Sequence, residues 1–350
     1  LRMEEQLADR GPKDVIVPPA LREQFQLRGG ELIVGPVEEK PLRGADAAPR
    51  LMDIQSINGR TAREYARATK FEGLTAVEPY RQMGLEHDGG SLSNRILDIV
   101  APLGFGAKGL LIAPERSGKT TMFRQIAQGI AANHSDVRMI ALLIDERPED
   151  VTDMERTIPG EVLASASDRG AREHVRLARF VFDRAKRLVE LGEDVVVFVD
   201  SLTRLSRAYL ACSGLDWSTD AIRDPALLEE PRSFFLSGRA TDEGGSLTVL
   251  ASVCSETESE LDEFILSQYS GRGNMEVVLR GDVARAQVWP AIDLMQSTSA
   301  TQAVMLTSDA FEAAAAIRRE VEGEKPVPAV QRVIEIFEEQ EDNASLIASF

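Results

Sequence analysis

Residues 113–121 read Ala-Pro-Glu-Arg-Ser-Gly-Lys-Thr-Thr, a turn of small and polar residues that closes on Gly118, Lys119 and Thr120. The spacing fits A/G-x-x-x-x-G-K-T, with Ala113 in place of the usual first glycine, and it has an apolar run before it and a helical pattern after it. Such a turn holds phosphate. Its backbone from Pro114 through Glu115, Arg116, Ser117 and Gly118, with the first residues of the helix, Lys119, Thr120 and Thr121, wraps the β and γ phosphates of ATP. Lys119 supplies a compact positive charge there, and the Thr120 hydroxyl is a ligand for Mg2+. A glycine turn opening an ordinary helix would explain Gly118 but leave Lys119 without a role. Two more strand ends carry carboxylates: LLIDER places Glu146 and Arg147 after an apolar run, and DVVVFVDS places Asp200 and Ser201 after another. Asp200 suits the magnesium position and Glu146 the polarising of an attacking water, so Glu146 and Lys119 are the catalytic candidates. Asp200-Ser201 could equally cap the helix that follows, and Glu146 beside Arg147 could be a solvated ion pair.

These residues must be placed by a particular kind of frame. After Gly109, GLLIA, MIALLID, EVLASAS and DVVVFVD alternate with helical stretches such as TTMFRQIAQGIAAN and AREHVRLARFVFDRAKRLVELG, and further strands are expected at SLTVLASV and MEVVL. Strand and helix in turn predict βαβ units, a mostly parallel sheet with helices on both faces, and hence an α/β fold. From Asp14 to Ile57 the runs DVIVPP, GGELIVGPV and RLMDIQSI are short and broken by Gly and Pro, which predicts a small β unit. Residues 61–104 are polar and read as irregular. The expected domains are 1–58, a connector over 59–105, and the α/β unit over 106–350.

Composition narrows the function classes. The 350 residues, 43% hydrophobic, suffice for a large core, and no run approaches the length of a membrane span, which predicts a cytoplasmic protein without membrane contact. Cys212 and Cys254 lie far apart with no metal-binding spacing. Forty basic against 57 acidic residues give a net charge of -17, which opposes a phosphate backbone unless positive charge is concentrated, and no strong basic cluster stands out.

Taken together, IAPERSGKT, LLIDERPEDVTDMERTIPGEVLAS, DVVVFVDSLTRLSRAY, DEGGSLTVLAS, SGRGNMEVVL and VWPAID, in this order, resemble the bacterial transcription termination factor Rho. DVIVPPALREQFQLRGGELIVG is similar to the later part of that family's cold-shock-like OB domain, and FEGLTAVEPY to its connector. The resemblance implies a RecA-like P-loop ATPase domain with a partial OB fold in front. It also implies a homohexameric ring with ATP between subunits, RNA in the pore, RNA polymerase as a possible partner, and ATP-driven RNA translocation in termination. By the same resemblance Arg147 reaches phosphate, Trp289 stands where an aromatic stacks on adenine, and the turn at Gly271, Arg272 and Gly273 matches a pore loop that grips RNA. Leu1-Arg2 looks like the tail of the strand that carries RNA-stacking aromatics, which would lie before residue 1.

Several positions depart from the family pattern. Where Rho-like chains carry NRSGTR, this one reads MQSTSA, with Gln296 and Ala300 at the two arginine positions. The last of those arginines reaches the neighbouring subunit's γ-phosphate, a contribution of roughly 10³ to 10⁵ in rate. Arg280, Arg285 and Arg272 are the remaining candidates for that role. Ser270 replaces a pore lysine, Gln287 another arginine, and Ile16 a tyrosine of the OB unit. The second pore loop, CSGLDWSTDAIRDPALLEEP, carries Asp216, Asp220, Asp224, Glu229 and Glu230 against Arg223 alone. The alternative expectation is therefore a degenerate relative that binds nucleotide and assembles but turns over and translocates little.

Overall fold

A computed structural model of the protein describes residues 14–38, 49–215 and 223–350. The chain begins there with short elements: α1 (Pro19–Gln24), β1 (Ile33–Val34), β2 (Val37–Glu38), β3 (Arg50–Leu51), β4 (Ser56–Ile57) and α2 (Ala62–Arg67). β1 pairs antiparallel with β4 and β2 with β3, around a small core of Leu51, Ile54, Ile57 and Tyr65. DVIVPP adds only a bridge from Ile16 to Arg50, because Pro18 and Pro19 have no N–H with which to extend a ladder.

The alternation read from the sequence follows: β5 (Ala76–Val77), α3 (Leu92–Val100), β6 (Lys108–Ala113), α4 (Lys119–Asn133), β7 (Arg138–Glu146), α5 (Pro148–Thr157), β8 (Glu161–Ala166), α6 (Ala171–Val189), β9 (Asp194–Asp200) and α7 (Leu202–Cys212). Then come α8 (Glu229–Phe235), β10 (Arg239–Thr241), β11 (Ser246–Cys254), α9 (Glu260–Ser267), β12 (Met275–Leu279), α10 (Gly281–Arg285) and β13 (Ile292–Ser299). Helices α11 (Gln302–Met305), α12 (Ser308–Glu320), α13 (Pro326–Glu338) and α14 (Asn343–Ala348) complete the chain.

The large sheet has the order β13-β12-β6-β11-β9-β7-β8, parallel from β12 to β8, with β13 antiparallel at one edge. Side chains alternate between its faces. In β9, Val196 and Phe198 join a core with α3, α4, α12 and α13, whereas Val195, Val197 and Val199 join a second core with α6, α7 and α9. A strand buried on both faces has no polar positions to spare, which is why DVVVFVD reads as a continuous apolar run. Six of the expected strands are present as β6, β7, β8, β9, β11 and β12.

The expected irregularity of residues 61–104 is corrected over 62–67, which form α2 behind a Thr61 cap, and over 92–100. The latter residues are α3, capped by the Ser91 hydroxyl, and Ile96, Leu97, Ile99 and Val100 are deep in the core. The pattern LSNRILDIV is too short for its period to be distinguished from a loop by sequence alone. β5 is drawn into the same sheet through β10.

The N-terminal unit is fixed to the sheet domain on α6. Arg28 donates to Glu190 at 2.8 Å, and Gly30, at φ +82°, lies against the backbone of Asp183 and Arg184. A Cβ at position 30 would approach the Asp183 carbonyl carbon to 2.6 Å. Gly30→Ala is expected to cost about 2 kcal/mol, from the left-handed backbone and the forced separation together. Urea unfolding and limited proteolysis check this; an unchanged midpoint with no new cleavage near the N-terminal unit would count against it.

Candidate nucleotide site

Strands β6, β9, β7 and β11 end side by side, and the residues singled out for phosphate chemistry stand at those ends. The crevice at the carboxyl ends of a parallel sheet is where ligands bind in such folds. Gly118 takes φ +91° as the cap of α4, so the turn can close and aim the helix N-terminus inward. Ser117 is buried and its hydroxyl donates to the Pro114 carbonyl at 2.7 Å, which fixes the turn from within. Glu115, Arg116 and Thr121 are exposed, while Gly118, Lys119 and Thr120 are half-buried.

Lys119 Nζ lies 2.6 Å from Asp200 Oδ1. Asp200 is buried, and Ser252 on β11 also donates to its Oδ1, at 3.0 Å. Burial would depress the Lys119 ammonium, but the Asp200 carboxylate outweighs it and the pKa is raised. The helix-cap alternative for this strand end falls to the next residue: Ser201, not Asp200, accepts from the Arg204 N–H at 3.3 Å and caps α7. That leaves Asp200 to face the turn.

Glu146 is ion-paired, though not with its neighbour. Its partner is Arg204, one turn into α7, while Arg147 is exposed at the cap of α5. Arg204 escaped the sequence reading; its place four residues after Asp200 on the following helix was the available signal. Burial is the largest influence on Glu146 and raises its pKa; Arg204 opposes this, Asp200 adds to it, and the balance is upward. A base that must be ionised loses function as pH falls through its pKa. The acid limb of turnover is therefore expected at a higher pH than an ordinary glutamate, near 4.3, would give. Arg204→Ala removes a cation and is expected to move that limb further up in pH. Measuring kcat/KM against pH checks it, and a limb that does not move in Arg204→Ala would refute the assignment.

Trp289 lies across the turn. A Cβ on Gly118 would meet its ring at 2.8 Å, and the ring is 43% exposed rather than buried. It borders a cleft of about 270 Å³ with Leu92, Ser117, Gly118, Thr121 and Gln125. The first residues of α3 thus belong to the site.

Other expected residues are elsewhere. Gly271, Arg272 and Gly273 follow α9 at the opposite end of the sheet, where Gly273 abuts Lys108 at the start of β6. From Lys108 to Ala113 is roughly 17 Å of strand. Arg2, Asp216 and Asp220 lie outside the described residues. In the acidic loop, Asp224 accepts from the Ala226 N–H at 2.9 Å, and Glu230 pairs with Arg179 through two contacts of 2.6 Å. Their carboxylates are thus engaged locally. Ala300 is exposed at the end of β13, where its N–H donates to the Asn274 carbonyl. Arg280 is held by Asp282 at 2.8 Å and Asp293 at 3.3 Å; Arg285 and Arg272 are exposed.

The ATP synthase alpha/beta family nucleotide-binding domain matches residues 93–299, which begins in α3 and ends with β13. The transcription termination factor Rho of Streptomyces coelicolor is 38% identical over 338 residues, 96% of this chain and 79% of that protein. The chain belongs to the Rho family. The Rho of Bacillus subtilis is 37% identical over 310 residues, covering 88% of this chain and 72% of its own, and the Rho of Rhodopirellula baltica is 36% identical over 345 residues, covering 97% and 66%. A solved ATPase from the type III secretion system of pathogenic bacteria matches with a TM-score of 0.64 over 92% of this chain and 98% of that chain, at 19% identity. That likeness is one of fold, and with the nucleotide-binding domain match the fold is that of the RecA-like α/β P-loop ATPases. Among the described residues no helix is long and apolar enough to cross a membrane.

Proposed function

We propose that this Rho family member hydrolyses ATP and uses it to move along RNA in transcription termination, in the cytoplasm, as a hexameric ring with nucleotide between subunits. The observation that carries the reading is the Lys119–Asp200 pair beside Glu146 at the strand ends, with Trp289 across the P-loop. Lys119 and the N–H groups of the turn hold the phosphates, Trp289 offers a face to the adenine, and Glu146 orients the attacking water. Arg147 stands exposed at the same rim as a further phosphate contact.

The residues present fit Mg2+. Among the described residues no group of three His, Cys, Asp or Glu could cage a metal, and this ion needs none, since it is commonly held by one or two carboxylates, water and substrate phosphates. Both contacts to Asp200 fall on Oδ1, and the Asp200 carboxylate and the Thr120 hydroxyl are the groups that would hold the ion. When bound, the ion neutralises charge on the phosphates.

The small N-terminal unit is read as the remnant of an OB fold over residues 1–58, and RNA and RNA polymerase are the proposed partners. A second reading, nucleotide binding and assembly with little turnover, is favoured by Gln296 and Ala300 and by the local pairing of Arg280. RNA-stimulated ATP turnover by the purified protein separates the two: stimulation supports translocation, and its absence with every RNA supports the second. Trp289→Ala is expected to weaken ATP binding about three- to tenfold, the worth of one lost stacking contact. Equilibrium titration with ATP checks it; unaltered affinity would remove Trp289 from the site.

A further inference from the structure

The end of β7 breaks step with β8 just before Glu146. Met139, Ala141 and Leu143 of β7 join the core shared with α3 and α4, while Ile140, Leu142 and Ile144 join the core shared with α6 and α7. Strict alternation would send Glu146 to the α6 and α7 face with Ile144. The pairing with β8 prevents this. Ile144 is opposite Ser165 and Glu146 is opposite Ala166, so Asp145 is an extra residue with no partner on β8, and it takes a left-handed φ of +56°. Ala166 continues the side of Val162 and Ala164, which pack on the α3 and α4 core, and Glu146 is turned to that side with it. There Glu146 and Lys119 lie within one another's field, and Arg204 in the first turn of α7 meets the carboxylate. Bulges beside active sites re-aim side chains in this way.

The bulge is held from beneath. Ser165 is the last regular partner before the extra residue, and its hydroxyl shares a hydrogen bond of 2.7 Å with Nδ1 of His174 on α6. Both residues are buried, at 5% and 6% exposure. Beyond the bulge, the Ser167 N–H donates to the Glu146 carbonyl at 3.0 Å. Burial lowers the His174 pKa, against the Asp145 and Glu173 carboxylates, so a neutral ring faces Ser165 at neutral pH. Sliding Asp145 into register with Ala166 would restore alternation and remove the left-handed residue, which a side chain tolerates rather than favours. It would also turn Glu146 away from the phosphate turn.

We infer that His174 is a positioning residue for ATP hydrolysis: through Ser165 it fixes the register in which the extra residue falls at Asp145 and Glu146 faces the phosphate turn. It acts through β8 and touches neither nucleotide nor water. The inference rests on the reading of Glu146 as the group that orients the attacking water.

The test measures kcat for RNA-stimulated ATP turnover and Kd for ATP in the full chain and in H174A, H174N and S165A. Asn places an amide atom where His has Nδ1 and can keep the bond to Ser165. H174A is expected to lower kcat at least about tenfold, against the roughly 100-fold that a misplacement of about 1 Å can cost, with Kd for ATP unchanged because Lys119 and the turn are undisturbed. H174N should recover most of kcat. S165A removes the same hydrogen bond with the loss of one atom; it should lower kcat in the same direction, and it carries the test if H174A does not fold. Amide hydrogen exchange at Ser167 should quicken in H174A and S165A and slow again in H174N. Variants that bind ATP and keep the parental kcat would overturn the inference and leave the hydrolysis reading standing. So would equal losses in H174A and H174N, which would assign the effect to the bulk of the ring rather than its bond to Ser165. A parent chain that binds ATP without turnover would overturn the hydrolysis reading and this inference together.

Discussion

Lys119→Ala is expected to weaken ATP binding by at least about 100-fold and to lower the stability of the nucleotide-free protein by about 3 kcal/mol. The two effects have one origin. Asp200 is only 2% exposed and pairs with Lys119 at 2.6 Å, with one further donor, the Ser252 hydroxyl. Removing the ammonium leaves a carboxylate in a site with little water, and it removes the cation that meets the β and γ phosphates. The stability cost sits at the lower end of the range for a broken buried pair because the Lys119 side chain keeps 17% exposure. Lys119→Ala/Asp200→Asn should regain most of the stability and none of the ATP affinity, since the second change removes the stranded charge but restores no cation. Urea unfolding and calorimetric titration with ATP read the two effects separately. A single variant that binds ATP within a few-fold of the parent would show that phosphate does not sit at this turn.

Ala300→Arg is expected to raise ATP turnover by roughly 10² to 10³, below the full 10³ to 10⁵ of an evolved arginine finger because no surrounding groups have been selected to orient it. Position 300 cannot serve its own nucleotide. β13 runs back from the Trp289 end of the sheet and ends beside Asn274, level with Lys108 and so roughly 17 Å of strand away from its own P-loop. A cation there acts on the nucleotide of another copy or not at all, so the gain should appear only at protein concentrations where copies assemble. Ala300→Gln, similar in reach but uncharged, should give no gain. Turnover against protein concentration, with assembly followed by light scattering, decides it. Assembled protein with no gain from arginine would locate the finger elsewhere, and loss of parental turnover in Arg285→Ala would say where.

The site was partly legible in the sequence. Phosphate-turn chemistry is local: Gly118, Lys119 and Thr120 are adjacent, and the apolar runs before Glu146 and Asp200 announce strands that end in carboxylates. Arg204 was not legible as the partner of Glu146, because 58 residues separate them and the pairing depends on β7 lying next to β9. The Trp289 ring against Gly118 depends likewise on how the chain returns after β12.

By itself the sequence determined the α/β alternation, the phosphate turn and the two strand-end carboxylates, since each rests on neighbours in the chain or on a short period. The tertiary structure decided which groups share the crevice. It placed Ser252 and Lys119 on Asp200, gave Glu146 to Arg204 rather than Arg147, brought α3 into the core, and carried Ala300 to the far end of the sheet. Strand order and register set those distances, and they come from burial of apolar faces across the whole domain, a sum over long-range contacts that no local stretch of residues encodes.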